Sequence, residues 1–174
     1  GYVGKPTEVG TSAFTTIVGN SGSDIPNFLS GFPVDFTFMR RPADAESWYT
    51  LSRFTGGRYM FADTTAAIAG PSDANFAFDS NTGWAHGPSF VSPYQSWMWK
   101  RGAGFDVVTY TGDGVAGRQI SHSLNKTVEM IWIKCRSNSG TSWLVGHKGL
   151  DGGNAPWTHY LRVNEPDQEE DNDG

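Results

Sequence analysis

Two stretches of this chain are written to one plan. VDFTFMRRPADAESWYTLSR occupies residues 34–53, and VEMIWIKCRSNSGTSWLVGH begins 94 residues later, at residues 128–147. Each opens with Val and an acid, continues through an aromatic-bearing apolar strand, passes basic residues, crosses a short polar loop and reaches Ser-Trp. The recurrence limits the fold more than any composition does, because one supersecondary unit must be built twice. A period of about 90 residues is too long for a solenoid repeat and points to a duplicated β-module. Strand alternation predicts that Val34, Phe36 and Phe38, and their counterparts Val128, Met130 and Trp132, face the core, with Asp35 and Thr37 half-solvated. Ile131 and Ile133 add apolar side chains on the other face, which predicts that the second strand is covered on both sides and is the more central of the two.

Around these stretches lie short runs of aromatic and β-branched residues bounded by Gly, Pro, Asn, Asp or Ser, the pattern of strands and turns. They cover residues 13–18, 34–41, 47–54, 58–62, 75–79, 94–100, 105–111, 127–135, 142–145 and 157–163. Gly at 22 of 174 residues supplies the turns such a chain needs. Residues 63–74 have no sustained i, i+3, i+4 stripe and are read as a loop with at most one helical turn. The expected class is all-β: an antiparallel, duplicated β-sandwich of lectin or jelly-roll type. The expected organisation is an N-terminal flank (1–13), a first copy (14–101), a second copy that stops short (102–165) and a solvated acidic tail (166–174). The second copy lacks counterparts of NFAFD and YQSWMWKR, so an uncovered sheet edge is expected near residues 157–163, with a neighbouring subunit or further chain to cover it.

The formal net charge is −5 and the basic residues are scattered, which excludes a nucleic-acid footprint of clustered Lys and Arg. No apolar run approaches the ~20 residues of a spanning helix, so no membrane insertion is expected. Cys135, the single cysteine, cannot form an internal disulfide and is expected as a small buried hydrophobe. No HxH, HxxxH or CxxC spacing occurs, so neither metal nor cofactor is predicted. Asp171, Asp173 and Gly174 imitate the start of a calcium loop but lack its closing Glu. Ser121 beside His122 lacks the Gly-x-Ser-x-Gly elbow of a hydrolase. Asp35 and Glu129 occupy equivalent places, the one carboxylate pairing a glycosidase reading could use, yet acids at strand starts are ordinarily solvated. The enzyme expectation is negative.

At FDVVTYTGDGVAGRQISHSLNKTVEMIWIKCR the chain resembles a domain that recurs near the ends of large tail-fibre and structural proteins of marine bacteriophages. The shared pattern is carried by Phe105 to Tyr110, Gly112, Gly114, Gly117, Arg118, Ser121, His122, Leu124 and Lys134 to Arg136. The chain departs from that pattern after Ser-His, reading LNKTVEM where a Leu-Gly-x-x-Pro-Glu turn is usual. Such domains often stand beside concanavalin-A-like lectin modules. The resemblance therefore implies a virion location, other virion subunits and a homo-oligomer as partners, and host-surface polysaccharide as a further one. It implies no catalytic activity. The alternatives are a polysaccharide depolymerase and a purely architectural capsid or tail decoration protein.

Exposed tryptophan beside Asp, Asn or Arg is how a β-scaffold grips a sugar ring. Two Gly/Pro-rich loops fit: residues 78–89, with Asp79, Asn81, Trp84 and His86, and residues 151–157, with Asp151, Asn154 and Trp157. A plain turn is the simpler reading of each. Trp48, Trp132 and Trp143 recur within the duplicated frame and are expected in the core.

Overall fold

A computed structural model describes residues 12–19, 26–70, 76–87 and 94–171. Most of the N-terminal flank, Asn75, Ser89, and Asp173 and Gly174 of the tail lie outside them. The fold is all-β with antiparallel sheets. The strands are β1 (Phe14–Val18), β2 (Phe28–Leu29), β3 (Phe36–Arg40), β4 (Tyr49–Ser52), β5 (Tyr59–Phe61), β6 (Gly83–Trp84), β7 (Gln95–Trp99), β8 (Met130–Ile133), β9 (Leu144–His147), β10 (His159–Arg162) and β11 (Glu170–Asp171). A five-stranded sheet runs β1-β7-β3-β4-β5, a four-stranded sheet β11-β10-β9-β8, and β2 pairs β6.

Val34 is buried as expected, but within β3 the buried face is the reverse of the one expected. Thr37 and Met39 are fully buried, with Leu51 and Met98, against Phe28, Val34, Phe76, Phe78 and Trp84. Thr37 can sit inside because its hydroxyl lies 2.7 Å from Ser96 Oγ, which in turn accepts the Trp84 indole N–H at 3.0 Å. A buried polar group with its partners in place costs little. Phe36 and Phe38 are half-buried on the opposite face, beside Trp97 and Trp99 of β7. Gly83 lets β6 close on β2: a Cβ there would lie 2.1 Å from the Phe28 carbonyl oxygen.

The meander β3-β4-β5 is built a second time as β8-β9-β10, in the same register. Phe36, Thr37, Phe38 and Met39 pair with Ser52, Leu51, Thr50 and Tyr49, while Met130, Ile131, Trp132 and Ile133 pair with His147, Gly146, Val145 and Leu144. The hydrogen bonds outside the ladders repeat too. The Trp48 N–H donates to Asp63 Oδ1 (3.1 Å) and the Trp143 N–H to Asn164 Oδ1 (3.0 Å). The Trp48 and Trp143 carbonyls accept from Ala62 and Val163. Arg53 bonds Asp35 through its N–H and, at 3.0 Å, through its guanidinium; Lys148 does the same to Glu129, its ammonium at 2.7 Å. The halves meet at the counterparts Phe38 and Trp132, whose rings are 5.6 Å apart, and beside them Trp143 Nε1 donates to the Phe61 carbonyl at 2.8 Å.

The second meander differs from expectation in its surroundings. β8 ends its sheet, and Met130, Ile131, Trp132 and Ile133 are 53, 41, 40 and 41 % exposed, so it is neither central nor covered on both faces. Of the recurrent tryptophans, Trp143 is buried, Trp48 is half-buried against Arg40 and Trp97, and Trp132 is exposed. Residues 105–111 form no strand, and of the expected strand at 75–79 the described residues, 76–79, keep only a bridge between Ala77 and Ala85. The edge at β10 is covered by the tail itself, with His159 paired to Asp171 and Tyr160 to Glu170. The described part of the tail is tied to the sheet, with Asp167 and Gln168 still exposed, because Arg162 attracts Glu165, Asp167 and Glu170 at once. Cys135 is exposed just beyond β8, where no sheet reaches over it.

Candidate functional site

The first loop loses its aromatic platform. Trp84 is fully buried, stacked on Phe28 at 4.8 Å and Phe78 at 5.4 Å, so it is a core residue and cannot meet a sugar. The sequence signal misled because β6 is two residues long and its turn residues resemble a surface loop. His86 is half-buried edge-on to Phe28, and burial lowers its pKa below the usual imidazole value. Asp79 and Asn81 are exposed, with no indole turned outward beside them.

The second loop keeps its parts together. Asp151 adopts φ 48°, the left-handed region, ahead of Gly152 and Gly153, which are also left-handed. Its carboxylate accepts the Ala155 N–H at 3.0 Å, its carbonyl accepts the Asn154 side-chain amide at 2.9 Å, and its own N–H bonds the Glu169 carboxylate. A non-Gly residue is held in that conformation by bonds on three sides. The turn delivers Trp157, 52 % exposed, onto the outer face of the second sheet. A Cβ on Gly146 would come within 3.3 Å of the Trp157 six-membered ring and 3.2 Å of Ile131, so the missing side chain makes the floor on which the indole rests. Strand register puts Ile131, Ile133, Leu144, Tyr160 and Arg162 on that same face.

Tyr160 and Arg162, which the sequence reading did not single out, give this face its polar side. The Tyr160 hydroxyl donates to Glu170 at 2.8 Å, and Arg162 Nη1 lies 2.5 Å from Glu170. The Glu170 hydrogen bond and partial burial raise the Tyr160 pKa, so the phenol stays protonated. Their signal was available: Tyr160 and Arg162 alternate on one face beside a tail of acids. It was missed because the tail was read as solvated.

A third feature gathers residues from the stretch that runs from Phe105 to Leu124. Val107 to Thr109 and Ser121 to Ser123 line a shallow cavity of about 300 Å³ with Phe54, Arg101 and Asp106. Asp106, its side chain 4 % exposed, accepts Arg101 Nε at 2.5 Å, the Val107 N–H at 2.8 Å, the Ser123 N–H at 2.6 Å and the Ser123 hydroxyl at 2.9 Å. Burial alone would push its pKa up, but these donors together bring it down to about 2. A carboxylate so fully bonded is a latch between loops, with no lone pair left for proton transfer. Asp35 and Glu129 are likewise each engaged by their own base, Arg53 and Lys148. Among the described residues, no three His, Cys, Asp or Glu side chains converge to hold a metal.

The fold thus defines an antiparallel all-β module with one exposed aromatic and polar face. A family model described as "Domain of unknown function (DUF7483)" matches residues 91–174, which include the latch, the second meander and the Trp157 face. No curated protein and no solved structure matches the chain.

Proposed function

We propose that the chain is a structural and attachment module of a bacteriophage virion protein, and that the Trp157 face of its second sheet binds host-surface saccharide. The observation that carries the binding reading is Trp157 itself: a half-exposed indole seated over Gly146, with Asp151 and Asn154 in its own turn. An indole stacks on the apolar face of a pyranose while neighbouring carboxylates, amides and guanidinium groups bond its hydroxyls. The resemblance around residues 105–136 supports the virion setting. The test is a glycan array and a host-cell binding assay with wild type and Trp157→Ala. Binding that Trp157→Ala abolishes at unchanged melting temperature supports the reading. Binding unaffected by the substitution, or no binding at all, removes it, and release of reducing sugar from host polysaccharide would replace it with a depolymerase.

A further inference from the structure

The repeated meander specifies what is missing beside β8. In the first sheet the outer edge of β3 is occupied by β7, antiparallel, with Phe36 opposite Trp99, Thr37 opposite Met98 and Phe38 opposite Trp97. β8 is the counterpart of β3 in register, in end hydrogen bonds and in its ion pair, yet among the described residues nothing pairs with its outer edge. The first copy opens with FTTIV, which is β1 and pairs with β7; the second opens with FDVVT, residues 105–109, which form no strand. Lys148 donates to the Glu129 carbonyl, so alternation along the ladder turns the backbone groups of Ile131 and Ile133 toward β9 and those of Met130 and Trp132 toward the open edge. An edge of this kind, apolar and uncharged over four residues, pairs with a matching strand.

The first copy also defines that strand's chemistry: short, antiparallel, uncharged, with large apolar side chains opposite those of the acceptor. β8 has these properties itself. We infer that its occupant is β8 of a second copy of this chain, related by a two-fold axis normal to the sheet. Residues facing each other across such a pair share a face only when the axis runs midway between a residue and the same residue of the second copy. Centred on Ile131, it sets Ile131 against Ile131 of the second copy and Met130 against Trp132 of the second copy, restoring the large-against-large pairing of β3 and β7. The two four-stranded sheets become one of eight strands. Because the contact is isologous it closes at the dimer. This inference stands apart from the saccharide reading, since its test uses no sugar.

The test is sedimentation velocity across a concentration series, with wild type, Met130→Pro and Ile131→Lys. Met130→Pro deletes an outward N–H, and Ile131→Lys sets two ammonium groups face to face at the axis; both sites are exposed in the single chain. A wild-type dimer that both substitutions convert to monomer is the expected result. Hydrogen exchange on wild type, which needs no variant, adds a second readout: Met130 and Trp132 amides gain protection with concentration, while Ile131 and Ile133 are protected throughout. A wild-type monomer at every concentration, association that neither variant weakens, growth beyond the dimer, or Met130 and Trp132 amides that exchange freely in the associated state would each overturn the inference.

Discussion

Replacing Trp84 and Trp157 separately by Ala distinguishes a core indole from a surface one. Trp84 is fully enclosed between Phe28 and Phe78, and truncating an aromatic ring in such a site costs about 3–5 kcal/mol through lost burial and the cavity left behind. The substitution also takes the indole N–H from Ser96, whose hydroxyl keeps only Thr37; a weakened buried bond adds about 1 kcal/mol. The sum, about 4–6 kcal/mol, is a large part of the 5–15 kcal/mol that typically separates folded from unfolded domains. Trp84→Phe preserves most of the stack and loses mainly the N–H bond, so it is expected at about 1–2 kcal/mol. Trp157 is half in water already, and Trp157→Ala is expected to cost below about 1.5 kcal/mol. Urea titrations followed by circular dichroism, compared at constant m, give all three values. Trp84→Ala within about 1 kcal/mol of wild type, or Trp157→Ala as damaging as Trp84→Ala, would show that the core is not where the rings place it.

The Asp106 latch sets a pH dependence. Its folded pKa of about 2 lies below the 3.8 of an unperturbed aspartate, so its contribution is complete well above pH ~4 and fades as pH falls through 2; at ~1.4 kcal/mol per pH unit it amounts to about 2.5 kcal/mol. Asp106→Asn should therefore lower stability at pH 6 and shrink the gap to wild type at pH 2, which acid-series melts measure; a gap independent of pH would refute the latch. Asp35→Ala, at a side chain 15 % exposed that also accepts the Arg101 N–H, should destabilise by about 1–3 kcal/mol, whereas Glu129→Ala at the exposed counterpart should be silent in the same melts. Cys135 should react with a thiol reagent in the native protein at a rate near that in urea, helped by the Ser137 hydrogen bond that lowers its pKa; strong native protection would contradict its exposure.

The meander itself was readable because its aromatic strands, basic residues and Ser-Trp recur in order, and a repeated pattern filters out chance. Which face went inside was not. Thr37 reads as a solvent-facing residue, and only its bond to Ser96, 59 residues away, makes it an interior one. The strands β2, β6 and β11 have two residues each and carry no period, so residues 83–84 and 170–171 read as loop and tail. The reverse error befell residues 105–111, which have strand composition but no neighbouring strand to bond. Of the candidate site residues, Asp151, Asn154 and Trp157 share one turn as their spacing suggested, while Trp84 was drawn inward by Phe28 and Phe78, contacts that sequence order does not reveal.

The strand order also fixes when each half can be assembled during synthesis. β8, β9 and β10 follow one another, and Ile133 finds Leu144 across a short loop. β1 must instead wait for β7, because Phe14 pairs with Trp99. By the logarithmic cost of loop closure, bringing those ends together is about 2 kcal/mol more expensive in chain entropy than closing the β8–β9 loop. On a ribosome, β1 emerges well before its partner, with β3, β4 and β5 made in between, so it waits for its ladder until residues 95–99 are translated. The first sheet therefore closes late through contacts distant in sequence, and the second forms from local ones.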